Sequence, residues 1–248
     1  MKNLFKAPRN KVIILISDLN DSITLSNGTK LFIDTAFEPA EHTPVVGTVV
    51  GVSKLYYNEK DKNNSMEWET TMDLRIGDKV FMEYFAVHQC LGKRFDKNAA
   101  YEDPKWFEID GKLYISINYQ DIYFAVRDDK IIMLNGYCIV KPIYVERLKS
   151  SVIEIPDSIK DKKSNKFCEI ILPGKPVKQY LDKKYRDFRG LSAGSIAMFM
   201  RWAVQRVEVK LHKTNIVKWD DYHVLQRRWI LDSLPAAYKE KIEKGQLK

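Results

Sequence analysis

The sequence predicts a mainly β protein in two tandem halves, ending in a short C-terminal helix. Three observations carry this. Strand-length runs rich in Val, Ile, Phe and Tyr are separated by Gly, Asn and Asp clusters, as in an all-β sandwich or barrel. The same order of runs recurs later in the chain. Hydrophobic residues make up 45% and aromatics 12% of the 248 residues, enough for packed cores.

"KVIILI" is β-branched and predicts the first strand. The basic residues before it mimic a secretory leader. However, the apolar run 12–16 is short, and Ser17-Asp18 follows with no small-residue cleavage site. "TPVVGTVVGVSKLYY" reads as the next core strand. "GDKVFMEYFAVHQ" alternates Val80, Met82, Tyr84 and Ala86 against Phe81, Phe85 and Val87, so it reads as one long strand. "KLYISIN", "DIYFAVRD" and "KIIMLNGYCIVKPI" follow. Between them, "NEKDKNNSMEWETTMD" and "GKRFDKNAAYEDPKWFEIDGK" are polar and read as long loops. They place Trp68, Trp106 and Phe107 as candidate interface anchors, because exposed loop aromatics commonly anchor partners.

Pro142 ends the first half. "KFCEIILPGKPVKQY", "SIAMFMRWAVQRVEVKLHK" and "DYHVLQRRWIL" make the second. Residues 193–209 are apolar on both faces, so their periodicity fits helix or strand. The end, "DSLPAAYKEKIEKGQLK", predicts a helix started at Pro235 with Asp232 or Ser233 as cap, then a frayed tail. The expected organisation is residues 1–136, 137–235 and a tail over 236–248.

An internal repeat supports two halves. "LRIGDKVFMEYFAVHQ" from Leu74 matches "LSAGSIAMFMRWAVQR" from Leu191 in its leucine, glycine and Ala-Val pair. "PVVGTVVGVSKLYY" resembles "NKFCEIILPGKPVKQY", and "YQDIYFAVRDDKIIML" resembles "WDDYHVLQRRWIL". In the last match Asp121 meets Asp221 and Arg127 meets Arg227. A true repeat makes 193–209 strand.

Charge is uneven. Through Gly136 there are 17 Lys+Arg against 20 Asp+Glu, and from Tyr137 there are 24 against 13. The basic half could face an acidic partner or nucleic acid. Its bases are interleaved with acids and no recognition motif is present, so nucleic acid ranks third among the function classes. Cys90, Cys138 and Cys168 are scattered, which argues against a disulfide framework or a zinc site. The four histidines show no ligand spacing. No nucleophile elbow or phosphate loop is present, so no catalytic residue, metal or cofactor is expected. No run of about 18 apolar residues predicts a membrane span.

The ordered set "KVIILI", "GTKLFIDTAFEPAEHTPVVGTVVGVSK", "LRIGDKVFMEYFAV" and "INYQDIYFAV" resembles the co-chaperonin (GroES-like) family over about residues 10–127. The most specific parts are "GTVVGVS" and "LRIGDKVFM". Residues 137–231 resemble it more weakly, with Gly194-Ser195 in place of Gly77-Asp78. The resemblance implies two small, partly open β-barrels, a ring, and docking of a short apolar segment from a mobile loop onto a chaperonin. The matching docking residues are Leu31, Phe32 and Ile33, with Val152, Ile153 and Ile155 in the second half. It also implies a cytoplasmic homo-oligomer.

The stretch "SITLSNGTKLFID" departs from a mobile loop. It has one glycine and several β-branched residues. A turn at Ser26-Asn27-Gly28 sets Leu25 opposite Thr29, Ile23 opposite Leu31 and Asp21 opposite Ile33, as in a half-buried hairpin. Two functions follow. One is a non-enzymatic, co-chaperonin-like protein docking apolar segments on a protein partner. The other is a structural component of a viral (phage) particle, located in the virion, on the same fold.

Overall fold

In a computed structural model of the chain, residues 5–17, 22–24, 26–32, 43–92, 105–146, 161–200 and 222–247 are described. The chain divides into two compact units, Met1–Leu134 and Asn135–Lys248. It is mainly β, with antiparallel sheets and a short helix near the C-terminus. Among the described residues, no helix is long and apolar enough to cross a membrane.

The first unit is built on β1 (Lys11–Ile16), β4 (Val46–Val52), β5 (Lys79–Met82), β6 (Trp106–Ile109), β7 (Lys112–Asn118), β8 (Ile122–Arg127) and β9 (Lys130–Met133). They form one open sheet in the order β6-β7-β1-β4-β5-β8-β9. A separate ribbon pairs β2 (Ser22–Thr24) with β3 (Lys30–Phe32). Alternation in β1 explains its two contacts. Val12, Ile14 and Ile16 enter the main core with Val49, Val80, Ile115 and Ile122, while Ile13 packs on the other face with Ala7 and Tyr114. Gly47 lets strands approach closely, since a Cβ there would lie 2.7 Å from the Leu15 carbonyl oxygen.

The expected long strand through Ala86 is not formed. β5 stops at Met82 and α1 (Tyr84–Leu91) begins. The Glu83 carboxylate accepts from the Ala86 N–H at 2.8 Å and caps the helix, and Gly92 ends it at φ 51°. Ala86, Val87, Cys90 and Leu91 are then buried at helical spacing. Two-residue alternation and helical spacing both fit these residues; capping decides between them.

The second unit contains β10 (Tyr137–Glu146), β11 (Asp161–Leu172), β12 (Ile196–Phe199), β13 (His223–Gln226) and β14 (Ile230–Leu234), in the order β13-β10-β11-β12-β14. Pro142 lies within β10, opposite Cys168, and does not end an element. The segment 193–209 is strand over Ile196–Phe199, and residues 201–209 lie outside the described residues.

This sheet repeats the inner five strands of the first, ladder by ladder. Lys11 faces Asn118 and Ile14 faces Ile115, as Tyr137 faces Gln226 and Val140 faces His223. Gly47 faces Val80 as Cys168 faces Ala197. Irregularities recur at the same places. One falls between Ile13 and Ile14 and again between Ile139 and Val140. Another falls between Phe81 and Met82 and again between Met198 and Phe199. β-Bulges are specific, built features of a sheet, so their recurrence fixes the correspondence. A short 3₁₀ turn, Tyr119–Asp121, links β7 to β8, and Arg227–Trp229 links β13 to β14. The residue match at the end of each half is therefore corrected. Tyr119 corresponds to Arg227 and Asp121 to Trp229, whereas the sequence comparison pairs Asp121 with Asp221 and Arg127 with Arg227.

The short C-terminal helix expected after Pro235 is present, but its expected cap residues lie elsewhere. Asp232 and Ser233 belong to β14, and a 3₁₀ turn, Ala236–Tyr238, leads into α2 (Lys239–Glu243). α2 buries Ile242 to 1% exposure against Ile143, Phe167 and Ile196, and the tail expected to fray packs Leu247 partly on the same cluster. Lys239 fixes α2 further through a 2.6 Å ion pair to Glu169 on β11.

Candidate functional site

The hairpin is the leading candidate. Ser22 faces Phe32, Ile23 faces Leu31 and Thr24 faces Lys30, which is the register the alternation predicts. Its turn has a local cause. Gly28 sits at φ 82°, open on all sides, and the Asn27 side-chain oxygen accepts from the Thr29 N–H at 3.0 Å. Residues 26–29 are exposed. Leu31 and Phe32 thus sit on a paired strand of a two-stranded ribbon. Ile33, Val152, Ile153 and Ile155 lie outside the described residues.

The three candidate aromatic anchors separate. Trp68 is only 2% exposed, so it is not a surface anchor; its connection folds inward, carrying Met66 and Leu74 into the core. Trp106 and Phe107 are not in a loop but on the edge strand β6. Trp106 packs partly on the main core, and Phe107 stacks on Tyr114 with centroids 5.2 Å apart. Ordinary apolar burial accounts for all three.

Two polar centres were not visible in the sequence. In the first unit, Tyr119 is fully buried, and its hydroxyl donates to the Thr71 carbonyl at 2.9 Å. In the second, the corresponding Arg227 donates from Nε to the Gly174 carbonyl at 2.7 Å and from Nη1 to the Phe188 carbonyl at 2.6 Å. Each therefore ties down the long connection that precedes β5 or β12. Asp187 completes the second centre, accepting from the Val177 N–H at 2.7 Å and the Tyr180 hydroxyl at 2.6 Å. The ladder correspondence is the signal that reveals both.

The first unit also holds two contrasting carboxylates. Burial pushes Asp78 upward, but the Arg127 guanidinium and the Arg75 N–H outweigh it and hold its pKa below the usual range. Arg127 grips both oxygens, at 2.7 and 2.6 Å. Asp121 is pushed up to about 6 by burial, opposed by the Asn118 amide and reinforced by the Glu83 carboxylate. Burial likewise raises Glu83. Burial pushes the Cys90 thiol up to about 11 and raises Cys138 and Cys168, so none is a ready thiolate. Among the described residues, no group of three or more His, Cys, Asp or Glu is placed to hold a metal ion.

Compared with models of known protein families the chain matches none, and no curated protein matches it.

Proposed function

We propose that the chain is a non-enzymatic, co-chaperonin-like assembly protein. Two tandem GroES-like units, each a partly open barrel, arose by duplication and form a ring or larger homo-oligomer in the cytoplasm. The segment at Leu31, Phe32 and Ile33 docks on a protein partner, first of all a chaperonin, and Val152, Ile153 and Ile155 are its counterpart. The observation that carries this reading is the two-copy build of the chain in its recurring ladders and bulges, and the candidate docking segment lies on the β2–β3 ribbon. It stands as its own sheet with an exposed turn, at the place where the resemblance puts the docking loop. The recurring ladders and bulges support two copies of one unit in one chain.

One observation favours a second reading, a structural component of a viral particle. The tripeptide strand is already paired with β2, so it is not a free extended arm. Co-sedimentation with a chaperonin and nucleotide separates the two. The first reading expects a complex that Phe32→Asp abolishes while the circular dichroism spectrum stays the same. Absence of any complex, or an effect of Phe32→Asp on stability alone, sinks it.

A further inference from the structure

The two units differ in surface charge. Among the described residues, the second unit exposes eleven lysines and arginines against three acids, Asp182, Asp232 and Glu240, whereas the first exposes ten against seven. Six of the eleven, Lys175, Lys178, Lys183, Lys184, Arg186 and Arg189, lie on one connection, residues 173–195. Two acids interrupt them in the sequence, but folding engages both. Asp187 accepts from the loop's own Val177 N–H at 2.7 Å and Tyr180 hydroxyl at 2.6 Å. Asp182 accepts from the Lys184 N–H at 3.1 Å and bridges the Lys184 ammonium at 2.8 Å. The loop is also pinned as a unit, with Arg227 bonded to the Gly174 and Phe188 carbonyls and the Phe188 N–H donating back to Arg227.

We propose that the 173–195 loop binds the phosphate backbone of duplex nucleic acid without reading its sequence. What the loop exposes decides the class of ligand. The exposed large hydrophobic residues among those described, Phe85, Ile109, Leu231 and Tyr238, all lie elsewhere. The loop therefore lacks the apolar anchor that carries a protein interface or enters a lipid surface. Its rings are also engaged. Tyr180 is buried, Phe188 and Tyr185 pack on the core, and Lys184 and Arg228 lie 4.8 and 5.1 Å from the Tyr185 ring centroid. The bases of a single strand thus find no stacking platform here. What remains is a set of cations on a pre-ordered loop, which loses little conformational freedom on docking. Contacts of this kind hold a duplex by its phosphates and carry no sequence information.

Such binding is independent of the docking and homo-assembly proposed above. Fluorescence anisotropy of the full chain with a labelled, mixed-sequence DNA duplex tests it. With about four phosphate contacts, affinity falls by about 100-fold between about 50 and 200 mM salt. Arg186→Glu with Arg189→Glu weakens binding by about ten-fold or more at low salt, and Arg186→Gln with Arg189→Gln lowers the salt slope by about two, one for each cation removed. Lys112→Glu with Lys130→Glu changes the net charge equally on exposed turns of the first unit and leaves affinity within about three-fold, since distant charges are screened. Circular dichroism confirms that every variant is folded. Equal losses from the two Glu pairs overturn the inference, because net charge alone then explains binding. Binding that persists at about 1 M salt, or that favours a single strand over the duplex, overturns it as well. A chain that ignores the duplex and binds polyglutamate overturns it in favour of an acidic protein partner, and a chain that binds neither overturns it outright.

Discussion

Tyr119 and Arg227 hold equivalent places and meet the same need with different groups. Each follows the strand paired with the first strand of its unit, has its N–H fixed by the residue before that first strand, and reaches into a long connection. Arg227 is 4% exposed and satisfies two carbonyls, so Arg227→Ala leaves both without this donor. We expect a loss of about 2–4 kcal/mol, read from the urea midpoint, against about 1 kcal/mol for Tyr119→Phe. The two carboxylates of the first unit respond oppositely to pH. The Asp121 pKa is raised to about 6, so the folded state binds its proton more tightly than the unfolded chain. Its contribution is fully present below the unfolded value of about 3.9 and is lost as pH rises through about 6. Asp121→Asn flattens that part of the stability profile, measured by thermal melts between these limits. Asp78, with its pKa held down by Arg127, contributes above its unfolded value and loses that contribution on acidification. Arg127→Met leaves a buried carboxylate unpaired and costs about 3 kcal/mol near neutral pH. The Gly77-Asp78 turn was legible in "LRIGDKVFM", and the Asp78 carboxylate accepts from the Arg75 N–H at 2.7 Å within it, but the burial of both carboxylates and the Arg127 partner belong to tertiary structure.

At the scale of elements, the strands were the readable part. Their β-branched runs and Gly-Asn-Asp boundaries locate β1, β4, β7 and β8 directly, and the hairpin register follows from which side chains alternate. Helix α1 was hidden because Glu is a weak signal for a cap, and its tyrosine, phenylalanine and valine also suit a strand. Strand β6 was hidden inside a polar stretch, since an edge strand needs only one side against the sheet. Helix α2 was legible from Pro235 and the helix-forming residues after it, but its docking was not, since five residues carry little stability alone and Ile242 supplies it by burial. Ile242→Ala therefore lowers stability by about 2–5 kcal/mol in chemical denaturation. An unchanged midpoint would mean the helix is dispensable to the second unit.

For the whole molecule, the repeat was visible around Gly77 and Gly194, where leucine, glycine and Ala-Val coincide, and both glycines take positive φ before β5 and β12. The match failed at the end of each half because Arg and Asp recur by chance there, whereas ladders and bulges are indifferent to side-chain identity. Likeness of backbone with divergence of charge is what a duplicated unit adapted to two partners would show. Under the proposed function, such a chain works by assembling with copies of itself or with a protein partner. Native mass spectrometry of the intact chain, alone and with a chaperonin and nucleotide, tests this most directly. The proposed function predicts a discrete oligomer of the chain or a stable complex with the chaperonin. A strict monomer under every one of these conditions would contradict it.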